Sequence, residues 1–81
     1  MEEGIRVENR ITSDPKIMRG EPCIRNLRIP VAMIIDSLAD GMTIEEILRE
    51  LPALDEEDIR ASLRYAAYRI REEIYFLKER P

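Results

Sequence analysis

The 81-residue sequence has no histidine and only one cysteine, Cys23. Without histidine, the chain lacks the commonest general base and metal ligand, and the usual partner that activates a serine or cysteine nucleophile. A single cysteine cannot form a disulfide within the chain or build a cysteine-based zinc site. Because a phosphate-binding glycine loop is missing as well, we expect a protein that is not an enzyme and that uses no cofactor or metal.

Long apolar runs are also missing from the sequence. No run approaches the ~20 residues of a membrane span, and no signal-peptide segment follows Met1, so we expect a cytoplasmic protein. The net charge is −4, but residues 1–30 carry a net charge of +1 and the remainder carries −5. A chain of this length forms only a marginal core, so burial against a partner would help to stabilise it.

The N-terminal part of the chain predicts a β arm. Residues 5–7 and residues 27–29 alternate apolar and basic side chains, as short strands with one buried face do. Asn26 tolerates positive φ, so a tight turn at Arg25 and Asn26 would close a hairpin between residues 22–24 and residues 27–29. An exposed edge strand offers unpaired N–H groups, so we expect a homodimer joined partly through the arms.

Two short helices are predicted next. Pro30 suits the first turn of one helix, and Gly41 stands where that helix should stop. Thr43 and Glu46 form the capping box of a second helix, which Pro52 ends. The apolar stripes of the two helices are Val31, Ile34, Ile35 and Leu38, and Ile44, Ile47, Leu48 and Leu51.

A long third helix, capped by Asp55, is expected over residues 56–79. Its apolar positions average 3.6 residues apart, the period of a straight α-helix and not of a coiled coil. They are Ile59, Leu63, Ala66, Ile70, Ile74 and Leu77. The connection at residues 52–54 is as short as in a helix-turn-helix, although such pairs also occur in proteins that never bind DNA. The predicted fold is mainly α: a β arm (residues 1–29) and a three-helix core with a long third helix (residues 30–81).

Six short motifs occur in a fixed order within about residues 11–68. They are Ser13-Asp14-Pro15, Gly20-x-Pro22, Arg28-Ile29-Pro30-Val31, Gly41-Met42-Thr43-Ile44-Glu45-Glu46-Ile47, Asp58-Ile59-Arg60-Ala61 and Tyr65-Ala66. Together they resemble the domain of unknown function 433 family. The sequence departs from the family at Asn26-Leu27, where Gly-Thr is usual, but asparagine can serve the same turn.

The resemblance implies a homeodomain-like three-helix core behind a β arm, often in a dimer. It also implies a VapB-like antitoxin, frequently encoded beside a toxin with a PIN-like ribonuclease fold, and it carries no catalytic residues. The expected function is therefore that of an antitoxin of a type II toxin–antitoxin pair, which sequesters the ribonuclease and regulates its own operon by binding DNA. The alternative is a non-enzymatic dimerisation or scaffold domain with no role in nucleic-acid binding.

The predicted DNA-binding residues are all arginines. In a helix-turn-helix the start of the second helix approaches the DNA, but here residues 55–58 are four consecutive acids, which suit a helix N-terminus and repel a polyanion. Any DNA contact is therefore expected from the basic side chains Arg6, Arg10, Arg25 and Arg28 on the arm and Arg60 and Arg64 on the third helix. The alternative is that these arginines are solvated or pair with local carboxylates.

The far part of the third helix is predicted to be a partner interface. Two helices of about nine residues cannot cover a helix of roughly 36 Å. We expect the uncovered residues to contact a second protomer or the toxin, and these residues are Tyr65, Tyr68, Ile70, Ile74, Tyr75, Phe76 and Leu77. Residues 65–77 are the expected inhibitory contact with the toxin; the alternative is ordinary packing within one monomer.

Overall fold

The computed structural model describes the backbone of residues 9–78 and the side chains of residues 9–72. Its elements in chain order are β1 (Ile11–Thr12), a 3-10 turn (Met18–Gly20), β2 (Cys23–Ile24), α1 (Val31–Ala39), α2 (Ile44–Glu50) and α3 (Glu56–Lys78). The predicted fold class is confirmed, since a short antiparallel β hairpin precedes three helices of which the last is long. The strand expected at residues 5–7, with Arg6, lies outside the described residues.

The two strands of the arm pair antiparallel, with Ile11 opposite Ile24 and Thr12 opposite Cys23. The predicted pairing of residues 22–24 with the segment that follows the turn is confirmed only in part. Cys23 forms an isolated antiparallel bridge with Pro30, and the N–H of Val31 donates to the carbonyl of Pro22 at 2.9 Å, but the predicted strand at residues 27–29 is wrong. Residues 27–29 form no strand, because Arg28 adopts the left-handed region with φ +63°. The alternating pattern indicated a half-buried strand but could not show which segment would pair with it.

The turn predicted at Arg25 and Asn26 is confirmed. Both residues have positive φ, +44° and +63°, as the central residues of a type I′ turn do. The N–H of Leu27 donates to the carbonyl of Ile24 at 2.7 Å, and the N–H of Ile24 donates to the carbonyl of Ile29 at 2.9 Å. The chain therefore reverses where the asparagine predicted, although the returning segment is not a strand.

The stop signal of α1 acts as the sequence indicated. Pro30 is the N-cap of the helix, and Gly41 follows its C-terminal end with φ +100°. The N–H of Met42 donates to the carbonyl of Ser37 at 3.1 Å, and the N–H of Gly41 donates to that of Leu38 at 3.0 Å. These two bonds are the Schellman motif, which satisfies carbonyls that the helix end would otherwise leave unpaired.

Reciprocal caps begin both remaining helices. The N–H of Glu46 donates to Thr43 Oγ1 at 3.1 Å and the N–H of Thr43 donates to Glu46 Oε1 at 2.8 Å, so the predicted capping box is confirmed. At the start of α3, the N–H of Asp58 donates to Asp55 Oδ1 at 2.9 Å, which confirms Asp55 as the cap. Asp58 completes a second box by accepting from the N–H of Asp55 at 3.0 Å.

One apolar core joins the arm to the helices. Its buried members are Ile24, Val31, Ile34, Ile47, Leu54 and Ile59. Because β2 contributes Ile24 with no exposed surface, the arm is part of the folded core of this protomer and not a free extension. Within residues 9–78 no helix is both long enough and apolar enough to cross a membrane.

The apolar positions of α3 do not form one buried stripe, so the sequence interpretation of this helix is wrong in part. Ile59 is buried, but Leu63 is 45% exposed and Ile70 is 60% exposed. The face that packs against the core instead carries Asp58, Ile59, Ala61 and Ser62. A polar aspartate and serine therefore occupy buried positions that a hydrophobic pattern cannot identify.

Candidate functional site

An arginine–carboxylate network, formed by Arg10, Arg25, Asp55 and Asp58, joins the arm to the start of α3. The buried carboxylate of Asp58 accepts from Arg25 Nε at 3.0 Å, from Arg25 Nη2 at 2.7 Å and from Arg10 Nη1 at 2.9 Å. Arg10 Nη1 also donates to Asp55 Oδ1 at 2.8 Å. Because Asp58 is fully buried, these bonds compensate a charge that would otherwise be costly to place there.

The pKa shifts of the two aspartates in the network favour their charged forms. Burial alone would raise the pKa of Asp58, but hydrogen bonds from Arg25, from the backbone N–H of Asp55 and from Arg10 outweigh it and hold the pKa well below its usual range. The pKa of Asp55 is lowered first by the backbone N–H of Asp58 and then by Arg10. Both carboxylates are therefore ionised wherever the protein is folded at neutral pH.

The structure places four of the six predicted DNA-binding arginines against carboxylates of the same chain. Arg10 and Arg25 belong to the network. Arg60 lies 2.8 Å from Glu56 on the surface of α3, and Arg64 forms an ion pair with Glu57. For these four arginines the local-pairing alternative describes the observed geometry, whereas DNA binding by them stays a prediction.

The remaining two predicted arginines differ. Arg28 is exposed in the loop after the turn, and its φ of +63° lies in the left-handed region. Arg6 lies outside the described residues. Near the start of α3 the four acids of residues 55–58 are matched by four arginines, so this end of the helix is close to neutral. It neither repels a phosphate backbone strongly nor attracts it.

An apolar groove of about 340 Å³ lies between α1 and α3. Its apolar lining is Pro22, Val31, Ala32, Ile35, Tyr65, Ala66 and Ile70, and its charged lining is Glu21, Asp36 and Arg69. Val31 is buried beneath the groove, whereas Ala32 and Ile70 are exposed within it. We call this feature the α1–α3 groove. Apolar surface of this kind, bordered by charged side chains, is typical of a site that receives a partner.

Two of the predicted interface residues with described side chains line the α1–α3 groove, and a third lies elsewhere on α3. Tyr65 and Ile70 line it, and half-buried Tyr68 donates its hydroxyl to Glu72 at 3.1 Å. Burial, and then this hydrogen bond, raise the pKa of Tyr68. The predicted side chains of Ile74, Tyr75, Phe76 and Leu77 lie outside the described residues.

Sequence reasoning missed the wall of the groove that α1 and the arm provide. Pro22 and Ala32 carried no interface signal, and Ile35 was assigned to the core because it shares the stripe of α1. The apolar stripe of α1 is wider than α2 and α3 can cover. This extra width was the sequence signal that could have indicated a groove beside α1. The prediction that part of α3 is not covered within the protomer agrees with the exposure of Ile70. The sequence of α3 by itself could not predict which surface covers that part.

Two features of the described residues concern reactive and metal-binding groups. Burial raises the pKa of the Cys23 thiol, which keeps it in the protonated, poorly nucleophilic form. Among residues 9–72 no group of three or more histidine, cysteine, aspartate or glutamate side chains could hold a metal ion. The lining of the α1–α3 groove is mostly apolar with a few charged side chains at its border, a composition that suits binding.

Comparison with known proteins agrees with the fold. Residues 11–66 match the model of a family described as "Protein of unknown function (DUF433)". A DUF433 member protein from Anabaena variabilis, known from a crystal structure, superposes with a TM-score of 0.74 at 28% identity, over 89% of this chain and 71% of that one. An uncharacterised protein of Sinorhizobium fredii, y4eO, is 41% identical over 56 residues, which are 69% of this chain but 25% of that protein.

Proposed function

This chain belongs to the DUF433 family, a family of unknown function, and we propose that it is a VapB-like antitoxin of a type II toxin–antitoxin pair. It acts in the cytoplasm as a non-enzymatic binding protein that sequesters a ribonuclease toxin with a PIN-like fold. The observation that carries this proposal is the α1–α3 groove, an open apolar surface beside the helix segment expected to contact the toxin.

The shape and composition of the groove support a protein ligand. Tyr65 offers a large, rigid side chain that is half-buried and partly available to a partner, and tyrosine is enriched at the centres of protein interfaces. Ile35 and Ile70 flank it with aliphatic surface. An apolar side chain on a helix of the toxin could enter such a groove, as in other helix-in-groove complexes.

Charge around the groove supports a partner that normally binds RNA. Glu21 and Asp36 are exposed carboxylates in the lining, and the chain is acidic beyond residue 30. The cleft of a ribonuclease is basic because it binds phosphates, so carboxylates at these positions would replace RNA phosphates when the two proteins associate. The association rate should then fall as salt concentration rises.

The test is co-expression with the ribonuclease-like protein encoded beside this gene. Ala32→Glu puts a charged side chain into the apolar groove, and Ala39→Glu puts the same side chain at the exposed C-terminal end of α1, outside the groove. Glutamate near a helix N-terminus is favourable and near a C-terminus unfavourable, so the control is the less stable variant. We expect only Ala32→Glu to abolish growth protection; equal protection by both variants would reject the groove as the toxin site.

The second candidate is a dimerisation or scaffold domain with no nucleic-acid role. It is favoured by the pairing of Arg10, Arg25 and Arg60 with carboxylates of the same chain, since these side chains are not free to contact phosphates. Gene neighbourhood separates the two candidates: a small ribonuclease beside the gene supports the antitoxin. In that case, autoregulation would use the arms of a dimer, with Arg28 as one of the exposed basic residues of the arm.

A further inference from the structure

A second apolar surface runs along α3, distinct from the α1–α3 groove. Leu63 is 45% exposed, Ala67 is half-buried and Ile70 is 60% exposed. They are spaced by four and then three residues, which is the alternation of the d, a and d positions of a heptad repeat. We call these three residues the outer seam. In the sequence the same alternation continues at Ile74 and Leu77. This set includes Ala67 instead of Ala66 and omits Ile59, so it averages 3.5 residues per step, whereas the set that gave 3.6 combined the two faces of the helix.

The outer seam faces away from the body of the protein. At 100° per residue, its mean direction lies about 125° around the helix from the mean direction of the buried residues Asp58, Ile59, Ala61 and Ser62. A second helix could therefore lie along the seam while the two folded bodies point outward on either side. Ile70 borders both the seam and the groove, whereas Leu63 and Ala67 do not line the groove.

We propose that the outer seam pairs with the outer seam of a second copy of this chain, forming a parallel two-stranded coiled coil. In a single protomer Leu63 is 45% exposed and Ile70 is 60% exposed, and a symmetric pair of helices buries both side chains. Because Ile59 already anchors the helix in its own core, the helix is ordered before the two copies associate. Pairing therefore carries no additional entropy cost of helix formation.

Charges beside the seam favour the parallel orientation. Arg64 and Arg71 occupy successive e positions, and an antiparallel pair centred on Ala67 would bring each Arg64 close to the partner's Arg71. The ion pair of Arg64 with Glu57 reduces this repulsion but leaves Arg71 exposed. In parallel helices, e positions face g positions instead. The sequence has Glu73 at g and Lys78 at e, five residues apart, the separation that pairs opposite charges across a parallel coiled coil.

This dimer is a different assembly from the arm-mediated dimer expected from the sequence, which stays a prediction. It goes beyond the proposed function and does not depend on it, because its test requires only the isolated full-length chain. If the outer seam proved not to form a dimer, the proposed toxin binding at the groove would still stand. Loss of growth protection in Ala32→Glu would likewise say nothing about dimerisation through the outer seam.

Sedimentation equilibrium of the full chain is the first test. We expect a species of twice the 9.5 kDa chain mass at micromolar concentration. Leu63→Glu should weaken the dimer about 100-fold or more, because it places two like charges at facing core positions. Met33→Glu on α1 is the matched control, since Met33 is 41% exposed and lies off the seam, and its dimer should match wild type. Ala67→Leu adds apolar volume to the seam and should tighten the dimer about tenfold.

The outcome that overturns the proposal is a monomer at all concentrations, or a dimer that Leu63→Glu weakens no more than Met33→Glu. In the second case the interface lies on the arm or in the groove. Circular dichroism of both variants separates loss of association from loss of folding. The gain expected for Ala67→Leu keeps the test decisive even if Leu63→Glu fails to fold.

Disulfide cross-linking decides the orientation. Leu63→Cys and Ile70→Cys are prepared separately, and wild type serves as the background because its Cys23 is buried. In a parallel dimer each variant oxidises to a covalent dimer by itself. In an antiparallel dimer centred on Ala67 neither does so alone, but a mixture of the two variants cross-links. Cross-linking only in the mixture, or none in a sample that is dimeric by sedimentation, would overturn the parallel seam.

Discussion

Arg25 binds Asp58 through two parallel hydrogen bonds, from Nε to Oδ1 at 3.0 Å and from Nη2 to Oδ2 at 2.7 Å, across 33 residues of sequence. The same carboxylate accepts the N–H of Asp55 and so also caps α3. One buried side chain therefore holds the turn of the arm against the first turn of the long helix. Its removal should affect both elements together.

Asp58→Asn should lower the free energy of unfolding by about 2–3 kcal/mol. The substitution keeps the shape of the side chain but removes the charge that Arg10 and Arg25 bind, and the value is at the low end because both arginines are about one-third exposed. Urea unfolding followed by circular dichroism measures the change. Glu57→Gln, which removes a surface partner of Arg64, is the control and should cost less than about 1 kcal/mol.

Stability should fall in acid because of the same carboxylates. The folded pKa values of Asp58 and Asp55 both lie below the ordinary value of an aspartate. A depressed carboxylate contributes stability above its unfolded pKa of about 3.9, and this contribution is lost as the pH falls toward the folded pKa. Urea midpoints measured between neutral pH and about pH 2 should therefore decline below about pH 4. Asp58→Asn should make the decline shallower; an unchanged slope would show that other carboxylates dominate.

Gly41→Ala should destabilise the protein by about 1–2 kcal/mol, although no described atom beyond the adjacent residues lies within 4 Å of the added methyl group. The cost arises from the backbone alone, because φ at this position is +100° and the Schellman motif requires a left-handed residue there. Asp40→Ala is the matched control, since Asp40 has a right-handed conformation with φ −80° and should change stability by less than about 0.5 kcal/mol. Equal losses in thermal unfolding would contradict this explanation.

The affinity for operator DNA should depend on Arg28 more than on the acidic residues at the start of α3. Arg28→Glu should reduce affinity and lower the salt slope by about one unit for each phosphate that the side chain no longer neutralises. Glu56→Gln should leave affinity unchanged, because in arm-mediated binding the start of α3 does not face phosphates. Arg25→Glu is unsuitable for this comparison, since Arg25 binds Asp58 and the substitution would also break the contact that holds the arm to α3. A gain in affinity with Glu56→Gln in an anisotropy titration would show that α3 docks in the groove of DNA.

The local features of this fold were predictable from neighbouring residues. Asn26 predicted the turn, Gly41 predicted the end of α1, and Thr43 with Glu46 predicted the start of α2, and all are confirmed. Each of these signals acts within about five residues, through φ preferences and backbone hydrogen bonds that need no distant partner. The order and type of the helices therefore follow from the sequence by itself.

Features that depend on distant partners were decided by the tertiary structure. Alternation in residues 27–29 indicated a strand, but the strand partner of β2 is β1, whose residues lie eleven and thirteen positions before the residues they pair with. Strand periodicity contains no information about the partner. The arginine–carboxylate network was read as separate basic and acidic sites, because only the folded chain brings Arg25 to Asp58. The average spacing of the apolar residues of α3 combined a buried face with an exposed face of the helix. Spacing gives the direction of each side chain, but only packing decides which direction is covered.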